Sequence, residues 1–496
     1  MIRLNLIDKT ISAISPKAGY RRQGWRNALE RSNYDAADFR NANRNWRVIN
    51  DSAQNTDNSE RDIIRARARD LERNSDSANA ITRAYRRNVV GKGFTLQSRT
   101  DDEKFNEEAE ELWKEWCKAK NCDVTGQQSF NQILRMALDR KKIDGGMLIK
   151  KCYTSGSLIP FKLQALEVDE LDTTQIRPRK KENKVVGGIE YNEFNRPVGY
   201  WIKQYSIDGM TYKEPAYLDA KDVIFYWQKK RPSQIREISD MTPTIERIRD
   251  TNEFVKAVSI KERVAACLAV FIKRITPGLN GFMPGRGSVS DKDRGSYDGK
   301  TLTPGMIAEL NPGDEIDVVN PGNSGEDSTT FLKLQQRMTS AGQGLSYEAV
   351  SRDMSETNYS SARQANIEDE NTFFEETELL QERVMDEIYE TFIISCILSG
   401  LLTTKGFWEN KRNYLKHQWV SSPKKWIDPA KEANANKIAL QTGQKTWQEI
   451  CAENGKDWQE ALIDMAKAVK FAEEQGIDLG GILYGWKKET AKAKQK

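Results

Sequence analysis

The chain has 496 residues, and its 77 Lys and Arg nearly balance 73 Asp and Glu to a formal +4, which argues against a globally basic nucleic-acid coat. Only 38% of residues are hydrophobic and 30% are charged, a surface-rich balance expected of an elongated, multi-lobed or oligomeric protein of two to four domains. Ser-His-Asp triads and Cys-His dyads need an imidazole, and the single histidine, His417, has no partner signature beside it and is expected to be a packing or surface residue; no GxxxxGK[ST] phosphate loop occurs.

The N-terminal segment lacks the continuous apolar run of a signal peptide. Residues 20–47 then hold seven arginines interleaved with Tyr20, Trp25, Tyr34, Phe39 and Trp46. Such a mixture suits a nucleic-acid arm, and equally an arm that anchors on a neighbouring subunit, the reading we favour because no binding fold frames it. Asparagine-rich 41–58 reads as a linker. Ser59-Glu60-Arg61-Asp62 resembles a capping signal, followed by Ile64, Ala68 and Leu71 at helical spacing. That helix should continue or restart to Val90 and stop at Gly91 and Gly93, with its arginines on a solvated face. Two further amphipathic helices carry Phe105, Ala109, Leu112, Trp113 and Trp116, then Phe130, Ile133, Leu134 and Ala137.

Strands are expected at 147–153, 160–168, 185–191, 198–205 and 222–227, with "NEFN" (192–195) as a hairpin turn. Glu167, Asp169, Glu170 and Asp172 could form a two-metal nuclease site. The alternative, which we favour, is a solvated strand edge, since no wider ligand frame accompanies them. Thr242-Pro243 should open a helix of some 30 residues as N-cap and N1. Residues 277–304, rich in Gly, Ser and Asp, lack the apolar content of a core. "MIAEL" and "EIDVV" suggest a small β unit around "NPGD" (311–314), a type II turn sequence. A helix through Phe331, Leu334 and Met338 should end near Gly342 and Gly344.

The next stretch, 351–363, is small and hydroxyl-rich. It leads into a helical pattern from Phe373 to Ile393 whose span 368–390 holds ten acidic residues and one base, Arg383. The run 392–402 is too short for a membrane span and reads as a buried helix end. Beyond it, Asp428-Pro429 and Thr446-Trp447-Gln448-Glu449 mark helix starts. The six cysteines are scattered without a CxxC pair and suit free thiols in a reducing compartment.

Several phrases in this order resemble the lambda-type portal proteins of tailed bacteriophages. They are "RARDLERNSDSANAITRAYRRNVVGKGF" (67–94), "SFNQILRMALDRKKIDGG" (129–146), "GGIEYNEFNRPVGYWI" (187–202), "KKRPSQIREIS" (229–239), "LSYEAVSRDMSETNYSSARQ" (345–364) and "HQWVSSPKKWIDPAKEANA" (417–435). None encodes chemistry by itself; their number and order over residues 60–480 carry the likeness. The resemblance implies an α+β, ring-forming portal fold of typically twelve copies at one capsid vertex, without catalysis or cofactor. Its parts would be an arm and linker (1–58), an α/β wing (59–241), a first stem helix (242–270), a clip (271–326), a second stem helix (327–343), a tunnel loop (344–362), a long wing helix with strands (363–427) and a helical crown with a basic tail (428–496).

The resemblance also implies a virion location, with assembly in the host cytoplasm. Double-stranded DNA would pass through the channel, and terminase, a head–tail adaptor and the major capsid or scaffold protein would be partners, with no membrane. On this plan Ser351, Arg352, Ser355, Thr357, Asn358, Tyr359, Ser360, Ser361 and Arg363 are the expected channel residues. Hydroxyls and amides there would meet moving phosphates weakly, where lysines would brake them. Two other readings stay open: an arginine-rich nucleic-acid adaptor built on residues 20–90, and a metal-dependent nuclease built on the 167–172 carboxylates.

Overall fold

A computed structural model describes residues 10–11, 13–18, 20–22, 50–203, 205–206, 214–267, 271–274, 314–317, 325–421 and 429–476. Most of the 20–47 arginine arm, the 277–304 stretch and "MIAEL" lie outside them. The chain divides into two units. The smaller, residues 1–59 with 231–234, contains α1 (Ala53–Asp57), whose N-cap Ser52 accepts from the Asn55 amide.

The larger unit begins with α2 (Arg61–Asn74) and α3 (Asp76–Tyr85). The break between them is local: Ser75 is extended and its hydroxyl caps α3 at the Ala78 amide. The expected cap at 59–62 is not formed, since Glu60 makes no side-chain capping bond. A wide turn at Arg86–Val90 ends at Gly91. Next come β1 (Thr95–Ser98), α4 (Glu103–Trp116), α5 (Ala119–Cys122) and α6 (Phe130–Asp144). In α6 the Ser129/Gln132 pair forms a reciprocal capping box, and Gly145 closes the helix in the left-handed region.

The strands are β2 (Gly146–Tyr153), β3 (Phe161–Leu166), β4 (Lys184–Val186), β5 (Ile189–Tyr191), β6 (Pro197–Ile202), β7 (Ala216–Asp219) and β8 (Val223–Trp227). They make an antiparallel sheet of order β3-β2-β8 and a second of order β4-β5-β6-β7. "VVGGIEY" is two strands and not one: Gly187 and Gly188, at φ 59° and 81°, turn the chain between β4 and β5.

Then follow α7 (Ile245–Cys267), β9 (Phe271–Arg274), β10 (Asp314–Asp317), α8 (Gly325–Gly342), α9 (Tyr347–Ser351) and α10 (Tyr359–Leu380). α10 runs through a wide turn (Gln381–Met385) into α11 (Asp386–Leu398). α12 (Lys411–Tyr414), β11 (His417–Val420), α13 (Pro429–Gln441), α14 (Trp447–Glu453) and α15 (Trp458–Glu474) are the last elements among the described residues. α7 starts at Ile245, not at Thr242-Pro243, because the Thr242 and Thr244 hydroxyls donate to the Ser239 and Met241 carbonyls and hold a preceding turn.

Two cores flank β2, whose alternation serves both. Met147 and Ile149 join the larger core, while Leu148 joins Leu166, Ile189, Tyr200 and Ile202 in the smaller. The larger core is aromatic where α4 meets α11. Trp113 lies 5.0 Å from Phe392, and Trp116 stacks on Phe161 while its Nε1 donates to the Phe161 carbonyl at 2.7 Å. Phe392, Ile393 and Cys396 are buried, but α11 ends at Leu398, which is 72% exposed, so the 392–402 run is a buried helix end only in its first half. His417 packs on Tyr389 and Trp419 and holds Asp386 at 3.1 Å.

Candidate functional site

The 167–172 carboxylates do not converge on a metal site, and the favoured solvated edge holds only for Glu167, which is exposed. Asp169 meets Arg65 at 3.2 Å and Arg69 at 2.5 Å. Glu170 accepts from the Glu167 amide within its own turn. Asp172 is buried and held by Thr174 and Lys203, which keep its carboxyl below the ordinary range against the opposing effect of burial. Among the described residues no group of three or more His, Cys, Asp or Glu is arranged to hold a metal.

The same contacts correct the reading of α2. Arg61 and Arg65 are buried, and Arg65 also meets Glu237 at 3.2 Å. Its arginine face is therefore partly an internal ion-pair layer. Arg61 donates to the Glu237 backbone carbonyl and Arg65 also pairs with Asp62 one turn before it, but the other acidic partners come from 75 to 172 residues away, out of reach of any local pattern.

Beneath the candidate channel stretch lies a second buried ionic group. Lys141 and Lys142 of α6 both reach Glu376 of α10, at 2.9 and 2.6 Å, and Lys141 also reaches Asp240 at 2.9 Å. Lys142 sits 3.8 Å above the Tyr85 ring, and the Tyr85 hydroxyl donates to the Gln343 carbonyl at the end of α8. Gln343 in turn donates to Thr244 Oγ1 at 2.8 Å. Charges removed from water must be paired to persist. This cluster ties the starts and ends of α6, α7, α8 and α10 together.

On that base the stretch from 344 folds tightly. Ser346 caps α9 and gives both its amide and its hydroxyl to Asp369, at 2.7 and 2.6 Å. Arg352 ends α9 with φ +59°. Asp353 gathers the Ser355 amide and hydroxyl at 3.0 and 2.6 Å, and the Thr357 hydroxyl donates to the Met354 carbonyl. Glu356 reaches back to α8, meeting Lys333 at 2.6 Å and Arg337 at 3.1 Å. Asn358 and Ser361 form a capping box that starts α10 at Tyr359.

The loop is thus narrower than the expected 344–362: helices occupy 347–351 and everything from 359. Of the nine candidate residues, Ser351 ends α9. Arg352, Ser355, Thr357 and Asn358 lie in the loop, and Tyr359, Ser360, Ser361 and Arg363 ride the first turns of α10. Arg352, Ser355, Asn358, Tyr359, Ser360, Ser361 and Arg363 are exposed; Ser351 and Thr357 are half-buried. The O–H donors of Ser355, Thr357 and Ser361 are all turned onto their own chain. A cleft of about 350 Å³ opens beside the loop, lined by Ile248, Thr251, Thr339, Tyr347, Val350 and Asp353 among others. Tyr359 lies under Lys431 of α13 at 4.8 Å.

The acidic helix that follows is less free than its composition suggests. Asp369 is held by Ser346, Glu376 by the two lysines, Asp386 by His417 and Trp419, Glu387 by Lys151, and Glu390 by Lys411. Glu375, Glu378 and Glu382 are exposed.

Among relatives, the chain is 24% identical over 429 residues to a probable portal protein of Halomonas phage phiHAP-1, covering 84% of this chain and 82% of that one. It is 21% identical over 450 residues to portal protein B of Escherichia phage lambda, covering 83% and 84%. It is 21% identical over 440 residues to the portal protein of Escherichia phage N15, covering 81% and 83%. A chain from the neck of a native gene transfer agent particle with C12 symmetry aligns over 78% of this chain and 93% of its own, at 13% identity and a TM-score of 0.43. The model of the lambda family of phage portal proteins matches residues 39–375, well over half the chain. The match enters the arm that the quoted phrases left uncovered. The chain belongs to the lambda family of phage portal proteins, structural components of the phage head–tail connector.

Proposed function

We propose that twelve copies of this chain close into a ring at one capsid vertex and that DNA enters and leaves through the central channel. On this reading α7 and α8 are the stem helices, β9 with β10 belongs to the clip, and the loop between α9 and α10 lines the narrowest part of the channel. The continuous α10–α11 helix spans the wing, and α13–α15 form the crown. The ring docks terminase during packaging and a head–tail adaptor afterwards, and sits against the major capsid or scaffold protein. It assembles in the host cytoplasm, ends in the virion, and performs no catalysis of its own. Among the described residues no helix is long and apolar enough to cross a membrane.

One observation carries this reading. Two helices bracket a strand pair and then deliver, through a buried ionic base, an exposed loop whose hydroxyl donors are already satisfied. A phosphate needs a donor, and a loop that has turned its O–H groups inward offers few. Such a surface lets a polyanion slide.

Negative-stain microscopy of the purified protein tests the assembly: rings with a central hole are expected, and monomer alone at micromolar concentration across salt and pH would overturn it. Replacing Ser355 and Ser360 with lysine tests the loop. Rings should form normally while DNA retention becomes more salt-dependent and packaging suffers. Normal packaging would place the loop away from the DNA.

A further inference from the structure

The loop carries one long contact that its turn geometry does not require. Glu356 leaves the loop and meets Lys333 and Arg337, four residues apart and so on one face of α8. All three side chains remain open to water, at 29%, 54% and 59% exposure for Lys333, Arg337 and Glu356. Lys333 is held above its ordinary range, first by its bond to Glu356, and Glu356 below its own, first by Lys333.

We propose that Glu356 is a built-in stand-in for phosphate. It masks Lys333 and Arg337 while the channel is empty, and the backbone of duplex DNA displaces it and takes those two cations. The inference rests on the reading of this loop as channel-lining.

Three features support the exchange. A carboxylate and a phosphodiester both present two anionic oxygens, the geometry that an arginine fork and an ammonium accept interchangeably. An exposed ion pair is weak and screened by salt, so it can be traded without unfolding anything. Between its two ends, the loop's remaining bonds are internal to residues 351–357 or run to Tyr347, and Met354 is 57% exposed, so no buried apolar anchor holds the loop against α8. The ends, by contrast, are fixed: Arg352 by the end of α9 and Asn358 by its capping box. The loop can therefore swing between two firm points. Closed, Asp353 and Glu356 offset Lys333 and Arg337, leaving the exposed Arg352 as the loop's uncompensated charge. Open, two cations per subunit face the duplex, but each phosphate contact costs the ion pair it replaces, so the net hold stays weak and DNA can still slide.

The test compares full-length parent, Glu356→Gln, and the Lys333→Gln/Arg337→Gln/Glu356→Gln triple variant, with ring formation checked for each. A short blunt DNA duplex is the probe, and its affinity is measured from 50 to 200 mM KCl. Glu356→Gln should bind more tightly at 50 mM. Parent and Glu356→Gln should share nearly the same salt slope, since both end with Lys333 and Arg337 on phosphate, whereas the triple variant should lose about twelve-fold less affinity over that range for each engaged subunit, the effect of two missing phosphate contacts. The triple variant should not show this gain. In the parent, hydrogen exchange of residues 352–358 should rise when DNA is added. If Glu356→Gln binds the duplex no more tightly than the parent while Ser355→Lys/Ser360→Lys steepens the salt dependence, the loop meets DNA but Glu356 masks nothing, and the inference falls alone. If neither variant alters binding, the channel reading falls as well.

Discussion

Glu376→Gln is the sharpest probe of how this molecule is held together. In the parent, two anions, Glu376 and Asp240, balance Lys141 and Lys142 in a space where the lysines are 0% and 5% exposed and Glu376 is 9% exposed. The glutamine keeps the shape and one acceptor but leaves a net buried positive charge. Breaking a buried pair from one side typically removes about 3–5 kcal/mol. We expect the apparent urea midpoint, read by tryptophan fluorescence near Trp113 and Trp116, to fall accordingly. Lys142→Met added to Glu376→Gln restores neutrality, so the double variant should recover much of the loss, a coupling that only contacting groups show. A Glu376→Gln protein within about 1 kcal/mol of the parent, or no recovery in the double variant, would refute the reasoning, since a cluster that tolerates an unpaired charge behaves as a hydrated one.

Burial, opposed by the Ser98 amide and reinforced by the Asp457 charge, pushes Glu110 up to about 7. A carboxyl raised in the folded state favours folding while protonated, so stability should fall as pH climbs from about 4.5 to about 7; Glu110→Gln should remove that decline, measured as melting temperature against pH. Gly145→Ala should be far worse than Gly156→Ala in the same assay. Both residues sit at positive φ, but a Cβ at 145 would lie 2.5 Å from the Ile238 carbonyl carbon, whereas nothing lies within 4 Å at 156. Deleting residues 280–300 should leave ring formation intact, checked by sedimentation, because that composition lacks the apolar residues of a main interface.

Elements whose signals lie within a few residues were legible from sequence. The Ser129-to-Gln132 box with apolar residues at helical spacing marks α6, and "NEFN" marks the β5–β6 turn, with Asn195 at φ 57°. Failures arise where the deciding partner is distant or the local signal is double. Arg61 and Arg65 read as solvated because the Glu237 acceptor that buries them lies in another part of the chain. Thr242-Pro243 has the form of a helix start, yet the hydroxyls turn backward. The candidate channel loop is shorter than its hydroxyl-rich composition suggests, because that composition masks the Asn358/Ser361 box that starts α10. Nothing near Glu356 announces Lys333 or Arg337; that contact exists only once α8 and the loop are packed.

The pairing of β1 with β11 bears on synthesis. Ser98 aligns with His417 and Thr95 with Val420, so the first strand waits for a partner made about 320 residues later. At ordinary translation speeds of about 5–20 residues per second the delay is about 16–64 s. Throughout it β1 is a bare edge, and many copies of the same nascent chain, each with the same unpaired strand, would share one crowded cell. Slower synthesis at low temperature or added chaperone should therefore improve the yield of correctly folded protein more than any change to the first fifty residues.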